Sequence, residues 1–128
     1  MTTVRYLDYD VIERREWSLD DDDLFERARE AGLEDTEFGS LTVEDETIFE
    51  ATQRVGLDWP VACGVGACTN CAAVVTTGQV TMEDQDILTD EEVSAGIRLT
   101  CIGRPETEEV ELVFNAKQLP SLQDRLID

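Results

Sequence analysis

Cys63, Cys68 and Cys71 stand in one nine-residue stretch, Cys63-Gly64-Val65-Gly66-Ala67-Cys68-Thr69-Asn70-Cys71, and Cys101 follows thirty residues on. The spacing is C-x4-C-x2-C with a distant fourth cysteine, a pattern that holds a [2Fe–2S] cluster through four thiolates. The chemistry accounts for the pattern. Three thiolates from one loop must curl around an anionic cluster, so the backbone has to turn tightly and approach closely. Gly64 and Gly66 supply positions that accept positive φ. Main-chain N–H groups aimed at the sulfurs then help to set the potential. The expected ligands are Cys63, Cys68, Cys71 and Cys101, and no side chain stands out as catalytic.

Other uses of four cysteines fit less well. Four cysteines allow three disulfide pairings. No secretory segment opens the chain, and cysteines so close on one loop are poorly placed for unstrained bridges. A structural zinc ribbon brings two C-x2-C knuckles, whereas Cys101 has no near partner. A thiol catalyst needs a base, and the chain has no histidine. The same absence excludes Rieske ligation, and C-x2-C-x2-C for [4Fe–4S] is missing. Zinc and a disulfide remain as alternatives. Gly64-Val65-Gly66 is not part of a dinucleotide fingerprint, because Thr69 takes the place of the third glycine.

The 128 residues suit one domain, 1–128, with a modest core. No run approaches the length of a membrane span. Cysteines committed to metal suit a reducing, cytoplasmic setting. Thirty acids against ten bases give a net charge of −20. Nucleic acid and anionic membranes are therefore poor partners. Nine of the bases are arginine and one is Lys117. Such acidity with so little lysine matches adaptation to molar salt, where self-repulsion is screened. An acidic carrier without that adaptation is the alternative.

The elements that must position the cysteines follow from periodicity. Thr2–Leu7 alternates as a first strand. Residues 8–38 break that pattern, and Asp20–Asp23 leads into Leu24, Phe25, Ala28 and Ala31, which predicts a helix over 20–31 ending at Gly32. A calcium loop is excluded there, since Phe25 stands where glycine is required. Gly39–Val43 reads as a strand. Thr47 and Glu50 form a capping box, with Ile48, Ala51, Thr52 and Val55 on one helix face up to Gly56. Pro60 predicts extended backbone before the cysteine loop, and Trp59 is assigned to the core. Ala72–Thr77 reads as a buried strand closed by Gly78. Thr89 and Glu92 form a second capping box, Ile97–Thr100 is a strand delivering Cys101, and Val110, Leu112 and Phe114 alternate in another. Leu119–Ile127 is predicted as a terminal helix opened by Pro120. The order is α+β, a small sheet crossed by one main helix.

With these residues in place, the chain resembles the plant-type [2Fe–2S] ferredoxins. The match runs from Gly39 to about Asn115, with Thr2–Leu7 as first strand, and rests on Cys63, Gly66, Cys68, Cys71 and Leu99-Thr100-Cys101. More narrowly, it resembles the ferredoxins of extremely halophilic archaea, through Trp59-Pro60, Asp90-Glu91-Glu92, Arg98–Gly103 and Asn115-Ala116-Lys117. The resemblance implies a β-grasp (ubiquitin-like roll) fold with an acidic helical insertion at 8–38, a core at 39–115 and a C-terminal helix. It also implies one-electron transfer to ferredoxin-dependent oxidoreductases, including those that oxidise 2-oxoacids. The family commonly has Arg-Ala after the first cysteine. Gly64-Val65 stands here instead, which leaves the ligands untouched and bears on partner choice and potential.

The leading expectation is a monomeric, diffusible, low-potential carrier that is not an enzyme. A separate electron-transfer subunit of a larger oxidoreductase and a structural zinc module are the alternatives.

Overall fold

The alternation at the N-terminus becomes strand β1 (Thr2–Asp8), which lies inside a five-stranded sheet. The computed structural model describes residues 2–19, 23–34, 37–57, 59, 71–82 and 88–116. Along the chain β1 is followed by α1 (Tyr9–Arg14), α2 (Leu24–Glu30), β2 (Phe38–Val43), α3 (Ile48–Arg54), β3 (Ala72–Thr77) and β4 (Val80–Met82). Then come α4 (Asp90–Ser94), β5 (Ile97–Leu99), β6 (Gly103–Pro105) and β7 (Glu109–Phe114). The sheet order is β2-β1-β7-β3-β5, and β4 pairs with β6 in a separate ribbon. β1 runs parallel to β7, while the other pairings are antiparallel.

Strand periodicity divides the sheet into two faces. Val4 and Tyr6 share a core with Val110, Leu112 and Phe114 of β7 and with Ile48 and Ala51 of α3. Trp59 belongs to that core, as expected: its ring stacks on Phe114 at 4.4 Å and meets Tyr6 edge-on at 5.5 Å. The opposite face carries Leu7 and Val113, both fully buried beneath Val11 and Ile12 of α1 and Leu24, Phe25 and Ala28 of α2. Further along that face Arg5 meets Glu109 and Glu111 at 3.5 and 3.6 Å. The acidic segment thus roofs one half of a sheet face and leaves the other half to charge pairs.

Several local expectations change. α2 begins at Leu24, with Asp23 as an N-cap lacking a side-chain bond; Asp23 instead pairs with Arg27 at 3.3 Å. Residues 20–22, like Pro60 and the terminal helix predicted over 119–127, lie outside the described residues. α1 was not foreseen, nor were the short strands β4 and β6. Val55 is not on the buried face of α3: it is the C-cap residue, 48% exposed, because the helix ends at Arg54. β3 is buried only at its start, and Thr76 and Thr77 are exposed. A bulge between Val75 and Thr77 shifts the register there.

Candidate metal centre

Of the four predicted ligands, Cys71 and Cys101 lie among the described residues; Cys63, Cys68 and the glycines between them lie outside. Cys71 directly precedes β3 and Cys101 stands two residues beyond β5. Because Ala72 pairs with Leu99 across those antiparallel strands, the register brings the two cysteines to one end of the ladder. Their Sγ atoms are 3.3 Å apart and both side chains are buried. Residues thirty apart in sequence therefore meet.

The separation tests what this pair can hold. A disulfide requires ~2.05 Å between sulfurs, so the two are not bridged to each other. Two thiolates on one tetrahedral metal at metal–sulfur distances of ~2.3 Å stand about 3.8 Å apart. The observed gap is close to the second value, and the donor set fits an iron–sulfur group. A surround of Leu88, Ile97, Leu99 and Ala116, with Phe49, Val74 and Met82 against it, keeps the sulfurs dry. Burial of this kind is one of the means by which a protein tunes such a site.

The main chain locks the pair. Thr100, itself buried, donates its hydroxyl to the Cys71 carbonyl at 3.0 Å and its N–H to the same oxygen at 3.2 Å. The Thr100 carbonyl in turn accepts the Phe49 N–H at 3.0 Å, which ties the start of α3 to the cysteine turn. That start is fixed by the predicted capping box: Glu50 N–H donates to Thr47 Oγ1 at 3.1 Å and Thr47 N–H to Glu50 Oε1 at 2.9 Å. The Leu99 N–H points at Met82 Sδ, 3.2 Å away. Arg98 Nε donates to the Val80 carbonyl at 2.8 Å, so β4 and β5 are joined beside the site.

Sequence reasoning placed the thiols but missed Thr100, Met82 and Arg98 as their supports. Side-chain bonds to carbonyls leave no periodic trace, and only the position of Thr100 beside Cys101 hinted at its part. The second capping box, Thr89 with Glu92, forms as expected and opens α4, whose Val93 packs against the cysteine cluster while Asp90 and Glu91 stay exposed. Among the described residues no three His, Cys, Asp or Glu side chains form another metal-binding group.

Comparison with known proteins agrees with this geometry. The family profile for the 2Fe-2S iron-sulfur cluster binding domain matches residues 33–106. Ferredoxin-1 of Haloarcula marismortui is 50% identical over 129 residues, covering 99% of this chain and 100% of the relative. Ferredoxin-2 of the same organism is 40% identical over 125 residues, covering 97% and 91%. In fold, the chain is similar to pectocin M2, with a TM-score of 0.58 at 23% identity over 70% of this chain and 32% of that one. The sheet with α3 packed on it is the β-grasp fold, the cofactor is a [2Fe–2S] cluster, and the role is electron transfer and not enzymatic turnover. The chain belongs to the [2Fe–2S] ferredoxins, in a form resembling those of halophilic archaea.

Proposed function

We propose that this ferredoxin is a diffusible, monomeric, cytoplasmic carrier of one electron at low potential, with Cys63, Cys68, Cys71 and Cys101 as the ligands of its cluster. The observation that carries the ligand set is the buried 3.3 Å contact between Cys71 and Cys101. Two thiols held so close by the β3–β5 register suit a shared iron, and the C-x4-C-x2-C spacing of the sequence supports Cys63 and Cys68 as the other two ligands. When bound, the cluster supplies one-electron chemistry at about −400 mV, the plant-type value. The chain's own residues do the rest. Thr100 fixes the separation of the two thiols, and Leu88, Leu99 and Ala116 exclude water. The single domain would then comprise a core at 39–115 and the acidic insertion at 8–38.

Donor and acceptor are ferredoxin-dependent oxidoreductases, including those that oxidise 2-oxoacids. Support for exchange beside the cysteine loop comes from the small, uncharged Gly64-Val65 and from the exposed acids of α4. Nucleic acid is not a partner for a chain of charge −20. Among the described residues no helix is long and apolar enough to cross a membrane.

The deciding experiment replaces Cys101 by Ala and measures iron content and visible absorption of the protein purified in molar salt. Loss of the normal iron content and spectrum is expected. An unchanged spectrum with unchanged iron overturns the ligand assignment.

A further inference from the structure

Among the described arginines, Arg5, Arg14, Arg27 and Arg54 each meet a carboxylate, and Arg15, Arg29 and Arg104 are exposed to solvent. Arg14 meets Glu37 at 2.7 Å and Arg54 meets Glu46 at 2.8 Å, and each contact raises the guanidinium pKa. Arg98 differs. It is half-buried, and its donors reach only main-chain oxygens: Nε to Val80 at 2.8 Å, Nη1 to Val93 at 2.8 Å and to Ile97 at 2.9 Å. No carboxylate among the described residues pairs with it, and desolvation lowers its pKa with no acid opposing the shift. Its charge is met by carbonyl dipoles and, among the described residues, by no carboxylate, so it is left to act on any anion held nearby.

The strand register supplies a candidate. Arg98 pairs with Ala73 in the β3–β5 ladder, one step from the Ala72–Leu99 pair beside which Cys71 and Cys101 meet. Its Cα lies within ~11 Å of that of Cys101, since three residues span at most about 3.6 Å each. A [2Fe–2S] cluster with four thiolates is anionic and becomes more so on reduction, so a fixed cation nearby favours the reduced form. We propose that Arg98 is a positioning residue for electron transfer: its charge raises the cluster's potential, and its forked donors hold β4, α4 and β5 around Cys101. The inference rests on Cys101 being a ligand.

The size follows from Coulomb's law. At an effective dielectric constant of ~20 and a separation of ~12 Å, one charge shifts the oxidised-to-reduced ratio roughly tenfold. For one electron that is about 59 mV. Because the guanidinium is half-buried, the effect persists in molar salt, where exposed charges beyond ~3 Å are screened.

The test is the midpoint potential of the holo-protein in molar salt, with iron content measured in parallel. Arg98→Gln keeps a donor for one carbonyl and removes the charge; it should lower the potential by the equivalent of about tenfold. Arg98→Lys should keep the wild-type potential, and Arg104→Gln on exposed β6 should leave it in place. An unchanged potential in Arg98→Gln at full iron content overturns the proposal, as does an equal shift in Arg104→Gln. Should Arg98→Gln lose its iron, Arg98→Lys decides. Iron retained at the wild-type potential supports a need for charge, and iron lost assigns Arg98 a role of shape alone. Failure of the ligand reading would show separately, as a Cys101→Ala protein with its spectrum intact.

Discussion

Thr100 binds the Cys71 carbonyl twice, through its hydroxyl at 3.0 Å and its N–H at 3.2 Å, and so sets how far Cys71 stands from the neighbouring Cys101. Thr100→Val keeps the shape and the N–H contact and removes the hydroxyl. A net hydrogen bond of this kind contributes about 1 kcal/mol, so the variant should unfold and bleach at lower denaturant. Thr100→Ser should restore most of the loss. Equal midpoints for wild type and Thr100→Val would show that the hydroxyl is dispensable.

Phe25 links the acidic segment to the sheet, packing in one cluster with Leu7 and Val113 and meeting Phe38 at a ring distance of 6.1 Å. Phe25→Ala should therefore cost about 3–5 kcal/mol and weaken the whole domain. Circular dichroism and cluster absorbance should fall together at a lower midpoint. Loss of helical signal without earlier bleaching would mark residues 8–38 as an independent appendage.

With a net charge of −20, the fold should depend on ionic strength. Exposed charges interact over ~10 Å at 0.1 M salt and over only ~3 Å at 1 M. The half-life of the visible absorption should thus be much longer in molar salt than in dilute buffer. Equal half-lives would argue against adaptation to salt.

Asp8 gives the fold a pH signature. Its carboxylate caps α1 through the Asp10 N–H at 2.9 Å and accepts from Asn115 Nδ2 at 3.0 Å. Burial nevertheless raises its pKa, outweighing those two bonds. The folded state therefore favours protonated Asp8, and the associated stability, full below the unfolded pKa, is lost as pH rises through the folded value. Asp8→Asn keeps a good cap and removes the titration. Its stability relative to wild type should increase as pH rises past the unfolded carboxyl value and level off once Asp8 is ionised in the folded state. A difference independent of pH would refute the raised pKa.

Residue types announced the thiols, both capping boxes and the longer strands, because each is a local pattern with a fixed spacing. Thr47 with Glu50 and Thr89 with Glu92 form the bonds their spacing implied. α1 escaped notice because Asp8 ends β1 and caps the helix at once, and six residues carry too little periodicity. β4 and β6 span three residues each, too few to show a period of two, and Pro105 in β6 occupies the edge position that a two-stranded ribbon offers. Val55 fitted the apolar face of α3 by spacing, yet the helix stops one residue earlier. The braces of the metal centre, Thr100 and Arg98, depend on side chains meeting carbonyls from other strands, which only the tertiary fold decides.

The pairing of β1 with β7 sets Thr3 beside Glu109 and Asp8 beside Phe114. During synthesis on the ribosome, the first strand waits for a partner more than a hundred residues behind it. Cys71 precedes β3, which pairs with β7, so the sheet beside Cys71 is complete only when β7 is in place. A sheet whose first strand pairs with its last forms late and as one unit, so the burial of Cys71 beside Cys101 belongs to the final cooperative step of folding.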